Sequence, residues 1–353
     1  MARVLFLVHG MGVHGADWAS EVRTTLGEVA SRYDKYDTPE AFFAKVEIVP
    51  VTYDSVFAEQ LARWQDAADD LKAFTEAERV NLGTGTAFFN WLATATEQEN
   101  NFFWSHMVDV LLYRYVQDVT KQVRLHVMRE IAGALEERMR GGQIVRATVL
   151  AHSLGTAVAH DALHGLGSIE LDGSRAFMAE NFAFQSLVTL ANVSRVLQTA
   201  PGPYESAVFP RTRERPGGYV RRYFDFRHAA DPIPAVRPFA PVGWARGLSA
   251  VLGLDFFRAF NVHGFSHHLD SPRVHIPLLN ALVARSIPAD EAEAAISAYP
   301  RVAGIGCAAE LASFVDRAKG LVALVRGTDD PMRLVIAGAQ FLAAAKAARD
   351  ACL

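Results

Sequence analysis

Residues 149–157 read Val-Leu-Ala-His-Ser-Leu-Gly-Thr-Ala. An apolar run ends in small residues and passes straight into a helical pattern, with Ser153 at the turn. A serine hydroxyl is a useful nucleophile only beside a base and beside donors for the negative charge that develops on the attacked group. This turn has the form that supplies the donors. The residues two before and two after the serine, Ala151 and Gly155, are small, so the chain can turn tightly and project the hydroxyl beyond the strand ends. The first N–H groups of the following helix then face a developing anion. The plain alternative is a chance serine at an ordinary strand-to-helix turn.

A serine nucleophile needs a base, and the base needs an acid that holds its tautomer and stabilises the imidazolium. Residues 226–234 read Phe-Arg-His-Ala-Ala-Asp-Pro-Ile-Pro, and Asp231 lies 231 − 153 = 78 residues after Ser153. It follows a stretch that reads as a strand, and Pro232 and Pro234 stiffen the loop. A solvated turn aspartate before proline is the alternative. Beyond it four histidines cluster, His263, His267, His268 and His275, with His267 lying 267 − 231 = 36 residues after Asp231. The order Ser, Asp, His is one of the chain orders such a triad adopts, and one of this cluster is the expected base. Clustered histidines also suit a metal ion. The neighbouring carboxylates are sparse, Asp255 and Asp270 being the candidates, so neither a metal nor an organic cofactor is expected.

Four segments carry a resemblance. Val8-His9-Gly10-Met11-Gly12 resembles the oxyanion motif of bacterial lipases, and Ala151-His152-Ser153-Leu154-Gly155 resembles their A/G-H-S-L-G elbow. His228 to Pro234 is similar to the H-x-x-D-x-V-P acid loop of fungal-type lipases, and Gly264-Phe265-Ser266-His267 to their G-Y-S-H. Together they resemble a lipase or esterase of the α/β-hydrolase superfamily, over residues 1–54 and 142–286. The resemblance implies Ser153 as nucleophile, Asp231 as acid and His267 as base, with His268 the runner-up and His263 third. It implies an oxyanion hole from the backbone N–H groups of Met11 and Leu154, an acyl-enzyme resolved by water, and lipid-like carboxylic esters as substrates. An acyltransferase or thioesterase with the same triad is the rival reaction. A catalytically silent scaffold that binds a partner is the rival from another class.

The elements that would position these residues are legible in outline. Residues 4–8 form a continuous apolar run that suits a strand buried on both faces. Asp17 can cap a helix carrying Trp18, Val22, Leu26 and Val29, and residues 45–53 give a second strand. Residues 55–141 contain no convincing strand, but a long helical stripe runs through Val108, Leu112, Tyr115, Val119, Val123, Val127, Ile131 and Leu135. The expectation is a helical insertion that caps the site, with Phe102, Phe103 and Trp104 either facing an acyl chain or simply core. Strands follow at 144–151, 187–193 and 219–227, with a helix from Leu154 to about Leu166. Residues 274–286 and most of 289–350 read as helix. The fold class expected is therefore α/β, a doubly wound, mostly parallel sheet. Its core would be 1–54 and 142–286, with residues 287–353 a C-terminal helical extension packed on that core.

Composition narrows the partners. The chain has 353 residues, half of them apolar, and a formal net charge of −4. That charge offers no electrostatic footprint for a nucleic acid. The Arg211, Arg213, Arg215, Arg221 and Arg222 group could meet an anionic headgroup, although a basic loop is usually just solvated. The apolar run after Arg3 stops at His9, short of the roughly 7–15 residues of a signal-peptide core. No stretch reaches the roughly 20 apolar residues of a membrane span. The two cysteines, Cys307 and Cys352, have neither metal-ligand nor disulfide-scaffold spacing and suit a reducing compartment. A cytoplasmic protein is expected, with signal-less export left open and the oligomeric state unspecified.

Overall fold

The structure is a computed structural model. It describes residues 2–10, 18–36, 38–60, 62–63, 66, 112–114, 116–197, 201–244, 247–253, 261–283, 287–299, 308–325 and 331–352. Six strands, β1 (Ala2–Val8), β2 (Glu47–Val51), β3 (Val145–His152), β4 (Ser186–Leu190), β5 (Tyr223–His228) and β6 (Gly247–Leu252), form one sheet in the order β2-β1-β3-β4-β5-β6. Every pairing is parallel. The α/β expectation holds, and the sheet is parallel throughout.

The physical reason lies in the strand sequences. In β1, Val4 to Val8 are all completely buried, and alternate residues feed opposite faces. Val4, Phe6 and Val8 join one apolar cluster, while Leu5 and Leu7 join the other. The first face is covered by helices Gln117–Met139 and Leu154–Ser168. The second is covered by helices Trp18–Ala30 and Pro272–Leu282. Helices on both faces force both sides of each strand to be apolar, which is why the runs are continuous rather than alternating.

The chain leaves β1 for β2 on one side, then returns through the Gln117–Met139 helix to β3 on the other. This reversal opens a crevice at the carboxyl ends of β1 and β3, the usual ligand position in such sheets. His9 and Gly10 end β1, and Ser153 ends β3, so two of the sequence-selected segments meet there.

The described end of the 55–141 segment belongs to the sheet's own covering layer. Val119, Val123, Val127, Ile131 and Leu135 line one stripe of their helix and pack in the same cluster as Val149 and Val158. That part is a crossover helix and not a cap. Residues 67–111, including Phe102, Phe103 and Trp104, lie outside the described residues, as do Asp17 and Met11.

The last two helices, Ala308–Val325 and Pro331–Cys352, pair with each other and pack on the short helix Pro232–Ala235. Phe314, Ala318, Phe341, Ala345 and Ala348 share a cluster with Ala230 and Val262. These two residues immediately precede Asp231 and His263, so the helix pair braces both loops. Cys352 is disulfide-bonded. Among the described residues, no helix is long and apolar enough to cross a membrane.

Candidate active site

Ser153 sits between β3 and the following helix with φ 51° and ψ −125°. A residue with a Cβ holds this backbone at a cost on the order of 1–3 kcal/mol, and only where its surroundings over-determine it. The Ser153 N–H donates to the Leu190 carbonyl at 3.0 Å. The Ser153 carbonyl accepts from the Thr156 N–H at 2.9 Å and from the Thr156 hydroxyl at 2.6 Å. That hydroxyl in turn accepts from the Val193 N–H at 3.0 Å. The turn is thus tied to β4 and to the loop beyond it. Gly155 lets the helix approach β1: a Cβ there would lie 2.0 Å from the His9 carbonyl oxygen.

Two further side chains converge on Ser153. His263 Nε2 lies 2.8 Å from Ser153 Oγ, and His263 Nδ1 lies 2.7 Å from Asp231 Oδ2. Asp231 is fully buried, and its other oxygen accepts the Ile233 N–H at 3.1 Å. A carboxylate only accepts. Nδ1 therefore carries the proton, and Nε2 is left to accept from the serine hydroxyl. The order Ser153, Asp231, His263 keeps the chain order expected, with 263 − 231 = 32 residues between acid and histidine.

The histidine differs from the one expected. His267 does not bridge Ser153 and Asp231, and neither does His268; His263 makes both hydrogen bonds. The reason is local. Phe265–Asp270 is a helix behind a turn closed by the Gly264 N–H on the Asn261 carbonyl. Helix onset carries His267 a turn away, edge-on to His228 at 5.5 Å between ring centroids. His275 is farther along, donating Nδ1–H to the Leu269 carbonyl and accepting from the Tyr33 hydroxyl at 2.6 Å.

The β1 end is held from the front. The Tyr53 hydroxyl lies 2.8 Å from the His9 carbonyl oxygen and 3.0 Å from that of Gly10. The Tyr53 ring stacks on the His9 imidazole at 4.2 Å, and Asp54 lies 3.3 Å from His9 Nε2. Leu154 opens the helix after Ser153, and a first helical N–H has no partner within its own helix. Met11, the other expected donor, lies outside the described residues. Tyr53 was missed by the sequence reading, since a lone tyrosine after a strand carries no local signal.

Behind the site is a group of buried histidines. Burial, then the proximity of His267, pushes His228 down to about 4. Burial and four neighbouring histidines hold His268 well below the ordinary value. Both are neutral near pH 7. Among the described residues, no group of three or more His, Cys, Asp or Glu is placed to hold a metal ion. Asp270 pairs with Arg32, and Asp255 lies outside the described residues. Asp225 on β5 is raised to about 6 by burial, partly offset by hydrogen bonds from Asn192, Thr189 and Ser249. The Arg211 guanidinium donates to the carbonyls of Ala179, Phe182 and Gly218, a structural use of that basic loop.

No protein family and no curated protein matches this chain. The chain is similar to the crystal structure of an uncharacterized protein from Pseudomonas aeruginosa, at 10% identity and a TM-score of 0.33, over 95% of this chain and 52% of that one. The chain thus spans about half the length of that protein.

Proposed function

We propose that this protein is a serine hydrolase of the α/β-hydrolase type that cleaves carboxylic esters. The observation that carries the reading is the unbroken hydrogen-bonded series Ser153, His263, Asp231, with the serine held at φ 51° at the head of a helix. In the reaction, Ser153 Oγ attacks the ester carbonyl carbon while His263 Nε2 takes its proton. The carbonyl oxygen becomes an oxyanion, received by the Leu154 N–H at the head of the helix; the lipase resemblance implies the Met11 N–H as the second donor. Collapse breaks the ester C–O bond, and His263 returns the proton to the departing alkoxide. Water then attacks the acyl-enzyme, with His263 again as base, releasing the acid and restoring Ser153. Asp231 holds the imidazole tautomer and stabilises the imidazolium in both halves.

The test is labelling with a fluorophosphonate probe followed by turnover of p-nitrophenyl esters from short to long acyl chain. Labelling at Ser153 and hydrolysis of at least one ester are expected. Ser153→Ala should lose both, since removing such a nucleophile costs several orders of magnitude. A wild-type protein that neither labels nor turns over would refute the proposal and leave a silent scaffold. Preferential acyl transfer to an added alcohol would replace hydrolase with acyltransferase.

A further inference from the structure

His152 directly precedes Ser153 in the chain. In the structure its Nε2 lies 2.5 Å from the main-chain carbonyl oxygen of His263. Its ring stacks on Phe265 at 5.1 Å with 13° between planes. A carbonyl oxygen only accepts, so His152 Nε2 carries a proton and donates.

We propose that His152 is a positioning residue that sets the reach of the His263 imidazole to Ser153. The inference rests on the hydrolase reading above. The links form a small closed ring: Ser153 is peptide-bonded to His152, His152 is hydrogen-bonded to the His263 backbone, and the His263 side chain is hydrogen-bonded to Ser153. The nucleophile's turn therefore grips the base's backbone directly. Without this grip the distance would depend on the separate packing of β3 and of the 261–264 turn. Phe265 fixes the ring of His152 from the far side, so the donor is aimed before any substrate arrives. The ring donates through Nε2 whether it is neutral or doubly protonated, so the grip does not depend on its charge state. A misplacement of about 1 Å at a reacting pair costs on the order of 100-fold in rate, and this link opposes such a misplacement of His263 relative to Ser153.

The experiment compares three variants by fluorophosphonate labelling rate and by kcat and KM on a p-nitrophenyl ester. His152→Phe keeps a ring against Phe265 but has no donor. His152→Gln keeps a donor at comparable reach without the ring, and His152→Met matches glutamine in length without the donor. Phe and Met should lower the labelling rate and kcat by roughly 10- to 100-fold with KM nearly unchanged, and Gln should recover most of the loss. Comparison of Gln with Met stands even if the Phe variant fails to fold. Equal rates for Gln and Met, or wild-type rates in Phe, would overturn the positioning role. Ser153→Ala is run alongside. If wild type labels and Ser153→Ala does not, a negative result falls on His152 alone, whereas an unlabelled wild type removes the hydrolase reading itself.

Discussion

Replacing Gly155 with alanine tests how tightly the candidate site is drawn together by backbone contact. The new Cβ would lie 2.0 Å from the His9 carbonyl oxygen, 2.7 Å from that of Val8 and 2.9 Å from the His9 carbonyl carbon. All three are main-chain atoms of β1 and its end, so no flexible side chain can yield. Ordinary contact begins near 3.4 Å, leaving 3.4 − 2.0 = 1.4 Å to be found by moving the helix from β1. Overpacking of this kind costs about 1–3 kcal/mol, and the lack of a yielding neighbour puts it at the upper end. The movement also carries Ser153, two residues away, relative to a His263 anchored on another segment. A shift of about 1 Å costs on the order of 100-fold in rate. Urea denaturation should show the stability loss, and ester turnover measured well below the transition should fall by that factor. An alanine variant with wild-type midpoint and turnover would refute the argument that backbone contact with β1 sets the site.

His263→Asn should reduce turnover by several orders of magnitude, while His267→Asn should retain most activity; the reverse ranking would return the role of base to His267. Tyr53→Phe removes the single hydroxyl proton shared between the His9 and Gly10 carbonyls that end β1 and should destabilise by about 1–3 kcal/mol while lowering kcat, because the end of β1 loses its tie to Tyr53; an unchanged kcat would show that the tyrosine serves stability alone. His275 is pushed down to about 4, chiefly by burial, against an ordinary value of 6.5. The unfolded chain binds the extra proton between those values, so this histidine contributes about 3 kcal/mol of stability above pH 6.5 that is lost as pH falls toward 4. Asp225, raised to about 6, acts in the opposite sense, so the histidine is isolated by comparing wild type with His275→Gln: the gap in their urea-derived stabilities should shift in favour of the variant between pH 7 and 5, and a constant gap would contradict the linkage.

The sequence by itself determined the parallel sheet and two of the three side chains at the candidate site. Val4 to Val8 and Val149 to Ala151 are apolar without alternation because both faces are covered, and that pattern is local. The turn at Ser153 is also local: its tightness requires small residues around it, and the requirement is written at Ala151 and Gly155. Asp231 was legible from its place after a strand and before proline. The strand Gly247–Leu252 was not read, since a glycine and a serine interrupt its apolar residues and, among the described residues, it stands at the sheet edge beside β5. Only the tertiary structure chose among the histidines. His263, His267 and His268 lie within six residues, so chain order and spacing admit each of them. The choice was made by the turn at Asn261–Gly264, the onset of a helix at Phe265, and the hydrogen bond from His152 to the His263 carbonyl. The last of these joins residues 263 − 152 = 111 positions apart, and a pairing at that separation is fixed by packing, not by any pattern near either residue.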